Sequence, residues 1–435
     1  MPEQLNVLHI ICHDLGRCLG CYGAGIPTPH LDAFAASGVL MRRAFCQSPA
    51  CSPSRACMLT GQVSHRHGVI GLANNSPPND FGIDPDATTI VDDLNAAGYE
   101  TIHVGIQHER RDIRDNRYRL ETFERSTDGF ADFAVDRAIE LLEQRASTPH
   151  VRPWYLNVGT VEVHASQWQT LRGRRPGTYD PVALEDAWVP AFLPDKPGVT
   201  DALRREMASF QGCVQWFDRQ MGRLFDALDR LGLRERTLVV FCTDHGISGE
   251  RAKTTLYDAG VETAMMFRGP QITPKTVIDH LIPNHDLAPT LLEAAGVETS
   301  RDMQGRSFWS TLIGEPYTPH DWIVTQRHWH SALHPMRAVR DSRWHYIRHD
   351  EPRFRQAKLP HEVDWMDDRY ERFLNELWPQ TGQTLPSEEL YDTLADPHEL
   401  VDLATHPDCS GILPLMRRRL NGWLEDCEDV LFSPV

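Results

Sequence analysis

Short apolar runs recur along the first three quarters of the chain, and helical patterns separate them. The runs that we predict as strands are Asn6 to Cys12, Val39 to Phe45, Glu100 to Gly105, Trp154 to Gly159, Arg236 to Thr243 and Thr263 to Phe267. Nearly continuous apolar runs of this length are typical of strands buried on both faces of a sheet. The intervening segments Phe130 to Gln144 and Asp201 to Leu231 have the pattern of helices. This alternation predicts an α/β domain.

The pattern changes after about residue 318. Short strands with the spacing of hairpins follow at Trp322 to Thr325, Met336 to Arg340 and Trp344 to Arg348. We therefore predict a catalytic α/β domain over 1–318 and a smaller C-terminal α+β domain with an antiparallel sheet over 319–435. A chain of 435 residues exceeds the usual size of a single core, which agrees with two domains. One segment, 165–197, lacks periodicity and is expected to form a pocket wall.

The composition limits the kinds of partner and the cellular location that we expect. The net charge of −17 argues against nucleic acid or an anionic membrane surface as a main partner. The N-terminus leads into an apolar strand without a basic segment, and no apolar run is long enough to span a bilayer. Ten scattered cysteines are typical of reduced thiols. We therefore expect a cytoplasmic protein, and we leave open whether it forms a homo-oligomer.

Polar side chains follow several of the predicted strands. His13 and Asp14 come directly after the first strand, and Asp244 and His245 directly follow the strand that ends at Thr243. Open α/β sheets bind their ligands at the carboxyl ends of the strands. A hydrogen-bonded strand end is the alternative for each pair taken alone.

The segment Cys51-Ser52-Pro53-Ser54-Arg55-Ala56-Cys57-Met58-Leu59-Thr60-Gly61 reads as a short helix. Pro53 suits a first helical turn because its missing N–H would have had no partner there. The helix N-terminus and the guanidinium of Arg55 would attract an anion beside Cys51. A buried, inert cysteine in a capped helix is the alternative.

This segment resembles the signature of the type I sulfatases of the alkaline phosphatase superfamily, and within them the sulfamidase branch and its bacterial relatives. The resemblance implies a large mixed, mostly parallel sheet flanked by helices. It also implies that a dedicated formylglycine-generating enzyme oxidises Cys51 to formylglycine, whose hydrated aldehyde is the nucleophile. Near the C-terminus, Leu390-Tyr391-Asp392 and the following Asp396-Pro397 match a further family element.

The resemblance also assigns a metal site. It implies one divalent metal held by Asp14, Asp244, His245 and the residue derived from Cys51. Oxygen ligands suit Ca²⁺, whereas added imidazoles favour transition metals such as Mn²⁺ or Zn²⁺, so both kinds of ion stay open. The family has Asp-Asp where this chain has His13-Asp14, so His13 is either a ligand or a neighbour of the metal. The family has Asp-Asn or Asp-Gln where this chain has Asp244-His245, and related phosphonate monoester hydrolases also have a histidine there.

The remaining catalytic positions follow from the same resemblance. It implies that His108 acts as base and His164 as acid, while Arg55 and Lys253 neutralise the charge of the transferring group. Ile106 stands where the family has a lysine that steadies the nucleophile, which puts that stabilisation in doubt.

We therefore expect hydrolysis of sulfate esters or sulfamates on a small molecule or saccharide. A phosphonate or phosphate mono- or diester hydrolase on the same fold is the alternative, favoured by His245. A non-catalytic sulfated-glycan binder with an unmodified Cys51 is a further alternative, favoured only by Ile106. In the C-terminal domain, His328 and His330 are candidate substrate contacts, and a structural His/Trp surface is an equal alternative.

Overall fold

The computed structural model describes residues 4–76, 79–84, 87–110, 117–122, 130–148, 152–165, 179–193, 200–249, 251–298, 301–330, 333–350 and 386–427. Its helices are α1 (Pro29–Ala36), α2 (Cys51–Thr60), α3 (Ser64–His67), α4 (Ile90–Ala96), α5 (Ala131–Ser147), α6 (Thr200–Arg230), α7 (Asp258–Val261), α8 (Leu287–Ala294), α9 (Trp309–Leu312) and α10 (Ile412–Asp426). Much of the predicted pocket wall, 165–197, lies outside the described residues.

Its strands are β1 (Asn6–Cys12), β2 (Val39–Met41), β3 (Ala44–Phe45), β4 (Ala73–Ser76), β5 (Asn79–Asp80), β6 (Glu100–Gly105), β7 (Leu120–Thr122), β8 (Trp154–Gly159), β9 (Thr237–Thr243), β10 (Glu262–Thr263), β11 (Met265–Arg268), β12 (Thr276–Ile278), β13 (Ile282–Pro283), β14 (Ile323–Trp329), β15 (Leu333–Arg340), β16 (Trp344–His349) and β17 (Glu388–Asp392).

Eight strands form the main sheet, in the order β12-β2-β11-β9-β1-β8-β6-β7. Within this sheet β11 runs antiparallel to its two neighbours, and the other pairs of neighbours are parallel. The expected mixed, mostly parallel sheet is therefore confirmed. All seven residues of β1 are buried, as expected for a central strand with β8 on one side and β9 on the other.

Helices cover both faces of the main sheet. On one face, the apolar side chains of α1, α5 and α6 pack against Leu8 and Ile10 of β1. On the other face, α2, α4, α8 and α9 pack against Val7 and Ile11. Each fully buried aliphatic side chain of this kind contributes about 1.5–3 kcal/mol to stability. The alternation of β1 side chains between two cores fixes its register, and with it the position of the residues that follow Cys12.

A second, antiparallel sheet has the order β14-β15-β16-β17. The three strands predicted from the hairpin pattern are present and longer than expected, whereas β17 and α10 were not predicted as elements. One face of this sheet packs on α10. The other face contributes Ile323, Met336 and Ala338 to a core shared with Phe45 and Leu256. The boundary at 318/319 stays a prediction.

Buried charges also join the second sheet to the rest of the chain. The carboxylate of Glu399 accepts hydrogen bonds from the backbone N–H of Asp258, from Arg340 and from His345. Asp258, His345 and Glu399 lie close enough together to resemble a metal site, but the guanidinium of Arg340 already pairs with both carboxylates. We therefore interpret this group as an ion-pair cluster that joins the second sheet to α7.

All ten cysteines are free thiols. Among the described residues, no helix combines the length and the apolar character needed to cross a membrane.

Candidate active site

Four neighbouring strands of the main sheet end at one edge. In the order β9-β1-β8-β6 they are all parallel, and Cys12 pairs with Thr243 while Gly105 pairs with Gly159. The backbone at Gly105 has φ +86°, and a Cβ there would lie 2.0 Å from the carbonyl oxygen of Gly159. Glycine therefore lets the chain leave β6 at this point, which is the carboxyl edge where parallel sheets bind ligands.

Asp14 and Asp244 occupy the centre of this edge. The backbone N–H of Asp14 donates to Oδ1 of Asp244 at 3.0 Å, and both carboxylates are fully buried. Asp14 has φ +48°, a left-handed conformation that costs free energy for a residue other than glycine and is frequent at functional sites. His13 lies between the two carboxylates, with its Nδ1 3.0 Å from Oδ2 of Asp244 and 3.5 Å from Oδ1 of Asp14.

His245 completes this group from the end of β9. Its Nδ1 donates to the carbonyl oxygen of Gly246 at 2.9 Å. Its Nε2 lies 3.2 Å from Oδ1 of Asp14 and 3.3 Å from Sγ of Cys51. Burial opposes protonation of His245, but the charges of Asp244 and Asp14 outweigh burial and raise its pKa.

Cys51 is the first residue of α2, whose ten residues are all buried. The N-terminus of the helix therefore faces the strand ends and presents its positive dipole to the sulfur. Nζ of Lys253 lies 3.3 Å from Sγ of Cys51 and 2.9 Å from each carboxylate oxygen of Asp14. Burial would raise the pKa of the Cys51 thiol, but the charges of Lys253, His13 and His245 lower it well below its usual value.

Arg55 lies one helical turn after Cys51 and contacts Asp244. Its Nε donates to Oδ2 of Asp244 at 3.2 Å, and the side chain is 1% exposed. Ser54 donates to the carbonyl oxygen of Asp244. Despite burial, the carboxylates of Asp244 and Glu109 raise the pKa of Arg55, so its charge is fixed. Arg55 thus pairs with a carboxylate, and its expected role in neutralising the charge of the transferring group stays a prediction.

His108 and His164 flank His13. The His13 ring centroid lies 5.9 Å from that of His108 and 5.5 Å from that of His164. Nε2 of His164 is 3.9 Å from Oδ2 of Asp14, and burial lowers the pKa of His164 to about 4 although Asp14 opposes the shift. Nδ1 of His108 is buried and has no hydrogen-bond partner among the described residues. Ile106, where the family has a lysine, is only partly buried.

The donor atoms fit a metal ion. His13, Asp14, Cys51, Asp244 and His245 are all buried, and one donor atom from each lies within 4.8 Å of the others. Two carboxylates, two imidazoles and a sulfur are all good ligands for divalent ions. The hydrogen bond from Nδ1 of His245 to a backbone carbonyl is the outer contact that usually orients a metal-bound histidine.

The two candidate substrate residues of the C-terminal sheet lie in different surroundings. Nε2 of His328 is 3.1 Å from Nη2 of Arg337, within the second sheet. His330 is 6% exposed, and burial together with the charge of Lys253 lowers its pKa to about 3. His330 therefore lies within electrostatic range of the active-site lysine, whereas His328 is bonded inside its own sheet.

Sequence reasoning missed two further residues at this site. Ser248 donates from Oγ to Oδ2 of Asp14, and Glu109 accepts from the backbone N–H of His108 at 2.8 Å. Both residues belong to loops that follow strand ends, so their closeness in sequence to His245 and His108 could have marked them as candidate site residues. Neither has a residue type or a spacing that alone indicates a site.

Comparisons with known proteins agree with this geometry. The sulfatase family model matches residues 5–297, and a model described as "N-sulphoglucosamine sulphohydrolase, C-terminal" matches residues 245–366. The chain is 27% identical to human N-sulphoglucosamine sulphohydrolase over 477 residues, which cover 98% of this chain and 90% of the human protein. It is also 27% identical to an ulvan-active sulfatase of Formosa agariphila over 459 residues, which cover 98% and 75% of the two chains.

Solved structures share the fold. A structure described as a complex with its substrate D-glucosamine-2-N,6-O-disulfate superposes with a TM-score of 0.73 at 17% identity, covering 98% of this chain and 99% of that chain. A sulfatase structure from Bacteroides thetaiotaomicron VPI-5482 gives a TM-score of 0.72 at 22% identity, covering 100% and 95%. The sulfatase family model spans about two thirds of the chain and includes every candidate metal ligand described above. The chain therefore belongs to the sulfatase family and is a sulfuric ester hydrolase.

Proposed function

We propose that this protein hydrolyses sulfate esters or sulfamates of sulfated saccharides, with formylglycine derived from Cys51 as its nucleophilic residue. The observation that carries the proposal is the position of Cys51, which lies at a helix N-terminus within 3.3 Å of both Lys253 and His245. The hydrated aldehyde of formylglycine would supply a nucleophilic oxygen there. The relatives named for sulfated saccharides support the substrate class.

The side chains around Cys51 have the chemistry that the reaction needs. The ammonium of Lys253 would neutralise negative charge on the bound sulfate, and electrostatic stabilisation of this kind is usually the largest catalytic contribution. His164 would donate a proton to the departing oxygen or nitrogen. Its pKa is about 4 without substrate, and a sulfate beside the imidazole would favour the protonated form. His108 would act as base on the other side of His13.

A divalent ion held by Asp14, Asp244, His245 and residue 51, with His13 as a further donor, would polarise the sulfate oxygens. Arg55 would hold Asp244 in place through its bond to Oδ2. Ser248 would hold Asp14 in the same way. These two contacts would keep the carboxylates oriented toward the ion.

The experiment that tests the proposal combines mass spectrometry with a substrate panel. Protein produced together with a formylglycine-generating enzyme should carry formylglycine at position 51, and it should release sulfate from N- or O-sulfated sugars. Cys51→Ala should fold and bind metal but show no turnover. Turnover by Cys51→Ala, or a free Cys51 thiol in active protein, would refute the scheme.

A phosphonate or phosphate mono- or diester hydrolase is the second candidate. The observation in its favour is the imidazole of His245 at a position where sulfatases commonly have an amide. Matched sulfate, phosphate diester and phosphonate esters of one leaving group would distinguish the two, because the preferred substrate is the one with the highest kcat/KM.

We also propose a cytoplasmic location, because all ten cysteines are free thiols. Fractionation of cells producing the untagged protein would test it.

A further inference from the structure

We infer that the group formed by His13, Asp14, Cys51, Asp244 and His245 selects a d-block divalent ion, of the Mn²⁺, Fe²⁺ or Zn²⁺ class, over Ca²⁺ and Mg²⁺. The inference rests on the proposed function only in taking this group as a metal site. The ligands that would make the selection are His13 and His245. Both are buried, with 2% and 0% exposure.

The group is poor in oxygen ligands. Ca²⁺ takes six to eight oxygen ligands, and Mg²⁺ requires a nearly octahedral set of oxygens. Within the described part of the chain, the clustered carboxylates are those of Asp14 and Asp244. Both oxygens of Asp14 also accept from Lys253, and Oδ2 of Asp244 also accepts from Arg55. Few lone pairs are therefore left for a hard cation.

The orientation of His245 favours a soft or borderline cation. Because Nδ1 donates to the carbonyl oxygen of Gly246, Nε2 is the atom that faces Oδ1 of Asp14 and Sγ of Cys51. The two electron-rich atoms at 3.2 and 3.3 Å from Nε2 call for positive charge at this point, and a cation bound to Nε2 would supply it in place of a proton. Ligands bound about 2.0–2.3 Å from one d-block ion stand about 3.0–3.5 Å from each other, which agrees with these separations.

His13 has the same kind of position on the other side of the group. Its Nδ1 is 3.0 Å from Asp244 and 3.5 Å from Asp14. The group therefore offers two imidazole nitrogens beside its two carboxylates. Each nitrogen donor that takes the place of an oxygen donor weakens the binding of oxygen-preferring ions and strengthens that of ions that follow the Irving–Williams order.

Competition binding tests the inference directly. Metal-free full-length protein is dialysed against an equimolar mixture of Mn²⁺, Zn²⁺, Ca²⁺ and Mg²⁺, and the bound ions are counted by inductively coupled plasma mass spectrometry. We expect about one d-block ion per chain and little Ca²⁺ or Mg²⁺. The double variant His13→Asp, His245→Asn should shift the ratio of bound Ca²⁺ to d-block ion by at least about tenfold, which corresponds to about 1.4 kcal/mol. His406→Asn, at an exposed histidine, is the matched control and should leave the ratio unchanged.

A second measurement covers the case in which the double variant does not fold. Co²⁺ bound to the wild-type protein should show d–d bands at shorter wavelength than Co²⁺ in an all-oxygen site of the same coordination number, because imidazole nitrogen gives a stronger ligand field than carboxylate oxygen. Preferential binding of Ca²⁺ or Mg²⁺ by the wild type, or a Co²⁺ spectrum typical of oxygen ligands alone, would overturn the inference. Both measurements are made without substrate. Selective d-block binding in an enzyme without sulfatase activity would refute the proposed function alone, and a Ca²⁺-selective active sulfatase would refute this inference alone.

Discussion

Nε2 of His245 lies 3.3 Å from Sγ of Cys51, although the two residues are 194 positions apart in the chain. The contact joins the end of β9 to the first residue of α2. It brings residue 51 next to the carboxylates that follow β1 and β9. Lys253, from the loop that also carries His245, contacts both Asp14 and Cys51. The reactivity of residue 51 therefore depends on groups from three separate segments of the chain.

Lys253→Met should lower kcat/KM by about 10²–10³, because it removes the cation closest to both Asp14 and residue 51. Lys253→Arg should recover part of the activity, since it restores charge but not the compact ammonium. Steady-state kinetics with one sulfated sugar provide the measurement. Lys275→Met, at an exposed lysine, is the control and should behave as wild type. Nearly normal activity of Lys253→Met would contradict a catalytic role for this lysine.

His164 and His108 should respond differently to the leaving group. If His164 protonates the departing atom, His164→Asn should lose about 10²–10⁴ in kcat on a sugar sulfate and much less on an aryl sulfate whose phenolate needs no proton. His108→Asn should lose a similar factor on both substrates, because a base acting on residue 51 does not touch the leaving group. The comparison therefore needs both variants and both substrates. Equal losses of His164→Asn on the two substrates would exclude it as the acid.

His330→Gln should raise KM by about tenfold with little change in kcat, a loss of about 1.4 kcal/mol of binding. His330 directly follows β14 and lies within electrostatic range of Lys253. Its buried Nδ1 has no hydrogen-bond partner among the described residues, so it is available to a bound substrate. His398→Gln, at an exposed histidine of the C-terminal part, is the control. A variant with unchanged KM but a lower melting temperature would place His330 in the packing of the sheet instead.

The resemblance to the sulfatases named the site residues, and the predicted ends of strands agreed with that assignment. β1, β6 and β8 were found with their observed bounds, because runs buried on both faces leave a continuous apolar signal. Since the sheet is parallel at its centre, finding the strands was enough to place Asp14, His108 and His164 at one edge.

The sequence did not indicate how strands from distant segments pair. Val39 to Phe45 was predicted as one strand, but the chain turns at Arg42 and Arg43, and its two halves join different sheets as β2 and β3. Nothing local to that run encodes the choice, because it depends on partners more than 200 residues away, such as β11 and β13. The same limit hid Ser248 and Glu109, whose contacts are set by how loops meet at the sheet edge.

The buried carboxyl group of Glu162 should make the free energy of unfolding of this protein depend on pH. Its carboxylate is fully buried and accepts from the backbone N–H of Ala131, at the start of α5, and from the hydroxyl of Tyr179. Burial raises the pKa of Glu162 from its ordinary value of 4.5 to about 7, against the opposing effect of these hydrogen bonds. Between these two values the folded protein keeps a proton that the unfolded chain has released. Stability should therefore fall as the pH rises through this window, by about 1.4 kcal/mol per pH unit.

Glu162→Gln removes that dependence, because the amide has no proton to lose. The variant pays a roughly constant penalty, since its single amide oxygen cannot accept both hydrogen bonds. Urea unfolding at pH 5, 6 and 7 should therefore show the free energy of unfolding of the wild type falling relative to that of Glu162→Gln at each step. Glu185→Gln, at an exposed glutamate, should run parallel to the wild type. Parallel profiles for Glu162→Gln would show that Glu162 is already ionised at pH 5, and that the loop carrying His164 is anchored by a carboxylate throughout the range.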